Sequence, residues 1–227
     1  VVAKDIKDLS YFVWSPTEDF IIYSVDVTAE KPGDLKRVYE VDDRLPYFRD
    51  RSYLYKIDLK SGNSFKLTAG NQSTYLNDIK PDGTKMLFSS SKIDYTQVPF
   101  SKESLFELDM NTGKLDTIWN DKLYGGSATY SPDGKKLLIQ GGPESFGQLG
   151  VKVSEGRIPN SYDGQLYIYD LTTKNVEPIT KDFDPAVESA YWNNLGEIYL
   201  SVAERDYGNL YRYDIKSKKF SKININV

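Results

Sequence analysis

The sequence of 227 residues contains neither cysteine nor histidine. Without these two residue types, the chain cannot supply a Ser-His-Asp triad, a Cys-His pair or the common zinc ligand sets. It also has no Gly-x-Ser-x-Gly nucleophile turn and no Gly-x-x-x-x-Gly-Lys phosphate loop. We therefore expect no catalytic residue, no metal site and no cofactor among these residues, whether or not they belong to an enzyme.

Long basic runs and long apolar runs are also missing. The net charge is −4, so nucleic acid and anionic membranes are not expected partners. The longest apolar stretches have the length of single strands, far below the ~20 residues that a membrane helix needs. The chain opens on Val1-Val2-Ala3 rather than methionine, which is compatible with a removed leader.

A turn motif recurs along the chain. Its clearest copy is Tyr130-Ser131-Pro132-Asp133-Gly134-Lys135, followed by an apolar strand. Proline presets φ for a type I turn, and the glycine takes the left-handed conformation that follows, as in a three-residue hairpin loop with a glycine bulge. Related stretches begin at Ile79, at Trp14 and, in an eroded form, at Trp192.

A second motif follows each copy of the turn. It has the form Leu-aromatic-x-x-Asp and begins at Leu54, Leu105, Leu166 and Leu210. Two motifs in fixed order, repeated four times at roughly 40–60 residues, are typical of propeller blades of about four strands. The sequence therefore predicts an all-β protein: a β-propeller with four four-stranded antiparallel blades at about 5–68, 75–119, 126–180 and 188–225. No second domain is predicted in 1–227.

Two recurring residue types each allow two interpretations. The aspartate of the second motif (Asp58, Asp109, Asp170 and Asp214) either caps the following turn or contributes to a ring of carboxylates. The recurring aromatics (Tyr55, Phe106, Tyr167 and Tyr211) either pack between blades or stack on sugars. The second strands are apolar on both faces, as expected for blades that lie between two neighbours.

The repeat is interrupted by two long connections between second and third strands, at 26–53 and at 141–165. Loops of this length are usually functional or disordered, and equivalent loops of a propeller emerge on one face. The first contains Arg44, Arg49 and Arg51, whose planar guanidinium groups can bind carboxylates of a substrate or partner. Alternatively, Asp42, Asp43 and Asp50 pair with these arginines and fix the loop. The second connection is glycine-rich and is expected to be mobile.

The blade pattern resembles the propeller of the prolyl oligopeptidase family of serine peptidases, and also the periplasmic TolB-type propellers. The segment from Asp42 to Tyr55, which reads DDRLPYFRDRSYLY, is similar to one in bacterial acylaminoacyl-peptidase and dipeptidyl-peptidase-like members. The resemblance implies a propeller of seven or eight blades, of which four are visible here. It further implies a C-terminal α/β-hydrolase domain that carries the catalytic triad, so no catalytic residue is carried over.

In that family the propeller restricts access of peptides to the catalytic domain. The resemblance thus implies a non-catalytic propeller segment of a serine exopeptidase, with that hydrolase domain and a peptide substrate as partners, in the periplasm or secreted. The Glu-Glu pair of dipeptidyl members is absent. Two alternatives stay open: a TolB-like binding or scaffold propeller, and a propeller glycosidase that uses paired carboxylates. The open faces of the first and last blades would favour a longer chain or self-association.

Overall fold

The computed structural model describes residues 3–30, 33–154 and 156–224. These residues form sixteen strands and one 3-10 helix, Val41–Arg44. The strands make four sheets of four, and all pairings within a sheet are antiparallel. This arrangement confirms the predicted all-β class and the four four-stranded antiparallel sheets, whereas the total of seven or eight blades stays a prediction. None of the described residues belongs to a helix long and apolar enough to cross a membrane.

The four sheets follow one another along the chain, and each meanders through its strands in order. Sheet A contains β1 (Leu9–Trp14), β2 (Phe20–Val27), β3 (Arg51–Asp58) and β4 (Ser64–Lys66). Sheet B contains β5 (Thr74–Ile79), β6 (Lys85–Ile93), β7 (Ser101–Asp109) and β8 (Leu115–Lys122). Sheet C contains β9 (Gly126–Tyr130), β10 (Lys136–Gly141), β11 (Gln165–Asp170) and β12 (Val176–Pro178). Sheet D contains β13 (Ala186–Trp192), β14 (Glu197–Glu204), β15 (Tyr207–Asp214) and β16 (Lys219–Ile223).

The predicted turn joins the first two strands of each sheet. In sheet C, Gly134 has φ 66° and its N–H donates to the carbonyl of Ser131 at 2.8 Å. Gly83 of sheet B has φ 70°. Sheet A has no glycine here, and Glu18 itself adopts φ 58° while its N–H donates to the Ser15 carbonyl at 3.0 Å. The turn geometry is confirmed, and in sheet A it is held without the residue that normally favours a left-handed conformation.

The recurring aspartates lie at the turns between third and fourth strands. Each side chain accepts hydrogen bonds from backbone N–H groups two or three residues ahead, at 2.7–3.0 Å. These backbone hydrogen bonds lower the pKa of each carboxyl group. The turn-cap interpretation is therefore confirmed for all four: Asp58, Asp109, Asp170 and Asp214.

Apolar side chains pack in three clusters, each between two neighbouring sheets. Phe20 and Ile22 of sheet A pack with Met86 and Phe88 of sheet B. Leu87, between those two sheet B residues, points the other way and joins a cluster with sheet C. The third cluster joins sheets C and D. Successive residues of a second strand thus pack against different neighbouring sheets, which explains why these strands are apolar on both faces.

Three of the four recurring aromatics point towards the preceding sheet. Phe106 packs on the cluster between sheets A and B, Tyr167 on that between B and C, and Tyr211 on that between C and D. For these three the prediction of packing between blades is confirmed. Tyr55 instead stacks on Tyr23 with ring centroids 5.3 Å apart, on the face of sheet A that no described sheet covers.

Candidate functional site

The connections between second and third strands define one face of the molecule, here called the insertion face. Its described segments are residues 28–30, 33–50, 94–100, 142–154, 156–164 and 205–206. Neighbouring segments are joined by contacts: the Tyr95 hydroxyl donates to the Asp42 carboxylate, and the Lys122 ammonium at the end of β8 donates to the Ser145 carbonyl at 2.6 Å. The two long insertions therefore lie along the same side of sheet B.

The insertion face carries a concentration of exposed apolar side chains. Twelve large apolar or aromatic residues of these segments are exposed, among them Leu35 at 93% and Tyr162 at 96%. The full set is Leu35, Val38, Tyr39, Val41, Tyr47, Tyr95, Val98, Phe100, Leu149, Val153, Ile158 and Tyr162. Exposed apolar groups that gather on one side of a protein mark an interaction surface.

Asp43 is the centre of the first insertion and is fully shielded from solvent. Arg49 binds it with both branches of its guanidinium group, Nε to Oδ1 at 2.7 Å and an Nη to Oδ2 at 2.6 Å. Lys36 adds an ammonium 3.1 Å from Oδ1, and the Tyr39 N–H donates to Oδ2 at 3.1 Å. The bidentate Arg49 contact, with Lys36 and the Tyr39 N–H, holds the pKa of the Asp43 carboxyl well below its usual range.

The three predicted arginines have separate surroundings and share no partner among the described residues. Arg49 is taken up by Asp43 and by the Arg37 carbonyl at 2.6 Å. Arg51 donates to three backbone carbonyls, at Phe48, Asp50 and Asn71, at 2.5–2.7 Å. Arg44 ends the 3-10 helix, is exposed, and has no hydrogen bond or ion pair within the described part of the chain.

The second insertion is anchored to the core between sheets B and C. The buried Tyr167 donates its hydroxyl to the carbonyls of Gly142 and Pro143 at 2.8 and 3.1 Å. Phe146 packs on Tyr167 with ring centroids 5.0 Å apart and meets Trp119 edge-on at 6.2 Å. The first part of this glycine-rich insertion is thus attached to the sheets by aromatic contacts.

Lys122 completes this anchor. Its ammonium lies 3.7 Å from the centroid of the Phe146 ring and 5.1 Å from that of Trp119. Glu103 is its cross-strand neighbour, but no ion pair joins the two side chains. Burial lowers the pKa of Lys122 to about 8.

The lowered pKa predicts a specific pH dependence of stability. The unfolded chain holds this lysine proton up to about pH 10.5, whereas the folded chain releases it from about pH 8. Between these values the unfolded state binds more protons, so Lys122 makes the protein gain stability as the pH rises. The melting temperature of the wild type minus that of Lys122→Met should therefore increase between pH 8 and 10. Lys92→Met, which removes an exposed ammonium paired with Asp121, is the control and should give a flat difference. A flat difference for Lys122→Met as well would contradict the prediction.

Sequence reasoning did not find Lys122 or Tyr95. Both lie outside the long insertions and act on them from sheet B. The single available signal was the position of Lys122 at the end of a fourth strand, three residues before Gly125, and this does not identify a partner.

Comparison with models of known protein families gives no match, and none of the curated proteins matches the sequence. Solved structures do match over nearly the whole chain. TolB from Acinetobacter baumannii is 19% identical with a TM-score of 0.59, over 97% of this chain and 44% of that protein. An acylaminoacyl peptidase from Pyrococcus horikoshii is 17% identical with a TM-score of 0.64, over 99% and 33%. The β-propeller domain of the Trilobed protease from Pyrococcus furiosus is 16% identical with a TM-score of 0.59, over 97% and 56%.

The last of these is itself a β-propeller domain, and it matches all four sheets. The chain has a β-propeller fold. It spans between a third and just over a half of the three proteins compared. At these identities the likeness establishes the architecture, and each neighbour's activity belongs to that neighbour.

Proposed function

We propose that this chain is a non-catalytic propeller segment of a serine exopeptidase, and that it shapes the access of peptides to an α/β-hydrolase domain. The observation that carries this proposal is the insertion face. Twelve exposed apolar side chains and the exposed guanidinium of Arg44 lie on segments fixed by buried ion pairs and aromatic anchors. An ordered, partly apolar surface of this kind suits a partner domain. The proposal is supported by the fold that 99% of this chain shares with 33% of an acylaminoacyl peptidase.

The experiment is a comparison of this chain with the natural gene product that contains it. Both are purified and assayed with aminoacyl and dipeptidyl chromogenic substrates, and the coding sequence after Val227 is read for Gly-x-Ser-x-Gly followed by Asp and His. We expect the longer product to hydrolyse a substrate and the chain alone to release no chromophore. Hydrolysis by the chain alone would overturn the non-catalytic assignment, and an inactive product without the motif would overturn the peptidase assignment.

Among the predicted site residues, Arg44 is the best placed to contact the partner domain or a peptide carboxylate. It is exposed at the end of the 3-10 helix, and its guanidinium has no partner among the residues described. Arg49 and Arg51 stabilise the loop that carries this surface, since most of their guanidinium donors bind Asp43 or backbone carbonyls. All three arginines are candidate site residues, and we assign the direct contact with the partner domain or the peptide to Arg44.

Alanine substitutions in the natural gene product separate these roles. Arg44→Ala should raise KM or weaken domain association several-fold while the free energy of unfolding stays within ~0.5 kcal/mol, as for ordinary surface changes. Arg49→Ala should lower the melting temperature, because it leaves the buried Asp43 carboxylate without its bidentate partner. A purely thermal effect at Arg44, Arg49 and Arg51 alike would end the contact assignment.

A TolB-like binding propeller is the second candidate, and the match to TolB over 97% of the chain favours it. In that case the insertion face would bind a separate protein rather than a domain of the same chain. The two candidates differ in the assay above. An inactive gene product that forms a stable complex with another protein, and loses it on Arg44→Ala, would select the binding propeller.

A further inference from the structure

A polar cavity lies between sheets B and C, next to the insertion face. Its volume is about 390 Å³, at the lower end of the range for small-molecule sites. Its wall comes from the first strands of both sheets and from the ends of β6 and β7 that lead to the insertion face. Its lining includes Tyr75, Asn77, Ser89, Ser91, Glu103 and Ser127.

Glu103 is the charged group of this cavity. Its carboxylate is half-buried, and it forms no hydrogen bond or ion pair with any residue in the described ranges. The lysine opposite, Lys122, is turned away towards the Ser145 carbonyl and the Phe146 ring. A half-buried carboxylate without a partner among the described residues can accept hydrogen bonds from a ligand.

Gly125 provides the space that the carboxylate occupies. A Cβ at this position would lie 2.2 Å from the Glu103 Oε2 atom and 2.8 Å from the Glu103 Cβ. Any side chain at residue 125 would therefore displace Glu103. The position of the Glu103 carboxylate thus requires a glycine at residue 125, directly before β9.

The remaining wall is neutral and hydroxyl-rich. Asn77 is held in place, since its Nδ2 donates to the Ser89 Oγ at 2.9 Å and its Oδ1 accepts the Ala128 N–H at 3.4 Å. Ser91 and Ser127 add hydroxyl groups that can donate and accept. One carboxylate among hydroxyl and amide groups suits a singly charged organic cation better than Ca²⁺, whose protein sites combine several carboxylates.

We propose that this cavity binds a small hydroxylated primary amine, of the amino-sugar or amino-alcohol class. The ammonium group donates to the Glu103 carboxylate, because a primary ammonium has three donors and no acceptor. The ligand hydroxyls exchange hydrogen bonds with the Ser91 and Ser127 hydroxyls and donate to the remaining lone pair of the Asn77 Oδ1 atom. The Asn77 Nδ2 group takes no part, because it already donates to the Tyr75 carbonyl and to the Ser89 hydroxyl. Tyr75, which is 48% exposed, adds an aromatic side chain to the lining.

The test is an NMR titration of the ¹⁵N-labelled chain at low salt with glucosamine, N-acetylglucosamine, glucose and triglycine. Glucosamine is expected to shift the amide signals of Gly125, Gly126 and Ser127, and the two neutral sugars to leave them in place. No shift with glucosamine would overturn the proposal, as would equal shifts with N-acetylglucosamine. Tighter binding of triglycine than of glucosamine would also overturn it, since a peptide amino terminus would then be the ligand.

Two variants link the binding to Glu103. Glu103→Gln keeps the shape and removes the charge, and it should weaken glucosamine binding at least about tenfold, as expected for losing a charge-assisted hydrogen bond. Gly125→Ala should have a similar effect by displacing the carboxylate. Asp206→Asn makes the same change in net charge at an exposed position of the insertion face and should bind normally. Unchanged affinity in a folded Glu103→Gln variant, checked by its melting temperature, would refute the assigned role.

Discussion

Replacing Tyr167 by alanine should lower the free energy of unfolding by about 3–5 kcal/mol, the usual cost of removing a large aromatic from a core. This side chain is fully buried between sheets B and C, and its hydroxyl binds two carbonyls of the second insertion. The variant should therefore lose core packing and release the insertion together. Denaturant unfolding measures the first effect, and limited proteolysis of residues 142–164 measures the second.

Two further substitutions separate packing from hydrogen bonding at this position. Tyr167→Phe retains the ring and removes the hydroxyl, so it should cost only about 0.5–1.5 kcal/mol for each hydrogen bond lost while still exposing the insertion to protease. Tyr162→Ala removes a tyrosine that is 96% exposed in the same insertion and should change stability by no more than ~0.5 kcal/mol. Equal effects of Tyr167→Ala and Tyr162→Ala would show that the insertion is not anchored through the core.

Asp43→Asn should open the first insertion, with at least about tenfold faster proteolysis of residues 28–50. The substitution leaves Arg49 and Lys36 without the carboxylate that neutralises them, and breaking a shielded ion pair from one side is strongly unfavourable. Asp42→Asn is the matched control, because within the described residues the Asp42 carboxylate accepts a hydrogen bond from the Tyr95 hydroxyl alone. Similar cleavage rates for the two variants would contradict the central role of Asp43.

The same ion pair determines the acid sensitivity of the insertion. The folded-state pKa of Asp43 lies below the value of 3.8 that the unfolded chain has. The pair therefore contributes fully above pH 3.8, and its contribution declines as the pH falls below that value. Wild-type proteolysis with an acid-active protease should be slow at pH 5 and accelerate only below pH 4.

The sheets could be predicted from sequence because their signals are local. The turn at Gly134 and the cap at Asp109 each involve residues within a few positions, so composition and spacing suffice to find them. A glycine is not required at every one of these turns, since Glu18 adopts a left-handed conformation in sheet A. Here the strands on either side impose the turn.

The sequence locates the candidate site in the first insertion, but it does not determine which side chains pair there. Several arginines and aspartates lie close together in this part of the sequence and allow many pairings. The sequence does not say that Asp43, rather than Asp42 or Asp50, binds Arg49. Arg51 reaches a carbonyl 20 residues away, which depends on how sheets A and B meet. No local sequence pattern identifies Glu103 as a site residue. Its carboxylate is available because Lys122 points towards Ser145 and because Gly125 has no side chain.

The alternation of side chains between neighbouring sheets has a consequence for how this sequence can change over time. Leu137 and Leu138 are adjacent in the chain, yet the first packs with sheet B and the second with sheet D. A larger residue at position 138 requires a smaller residue in sheet D, for example at position 200. It requires no change at Leu87, which belongs to the other cluster. Compensating substitutions should therefore connect residues far apart in sequence while skipping immediate neighbours. Each interface between sheets can then diverge at its own pace.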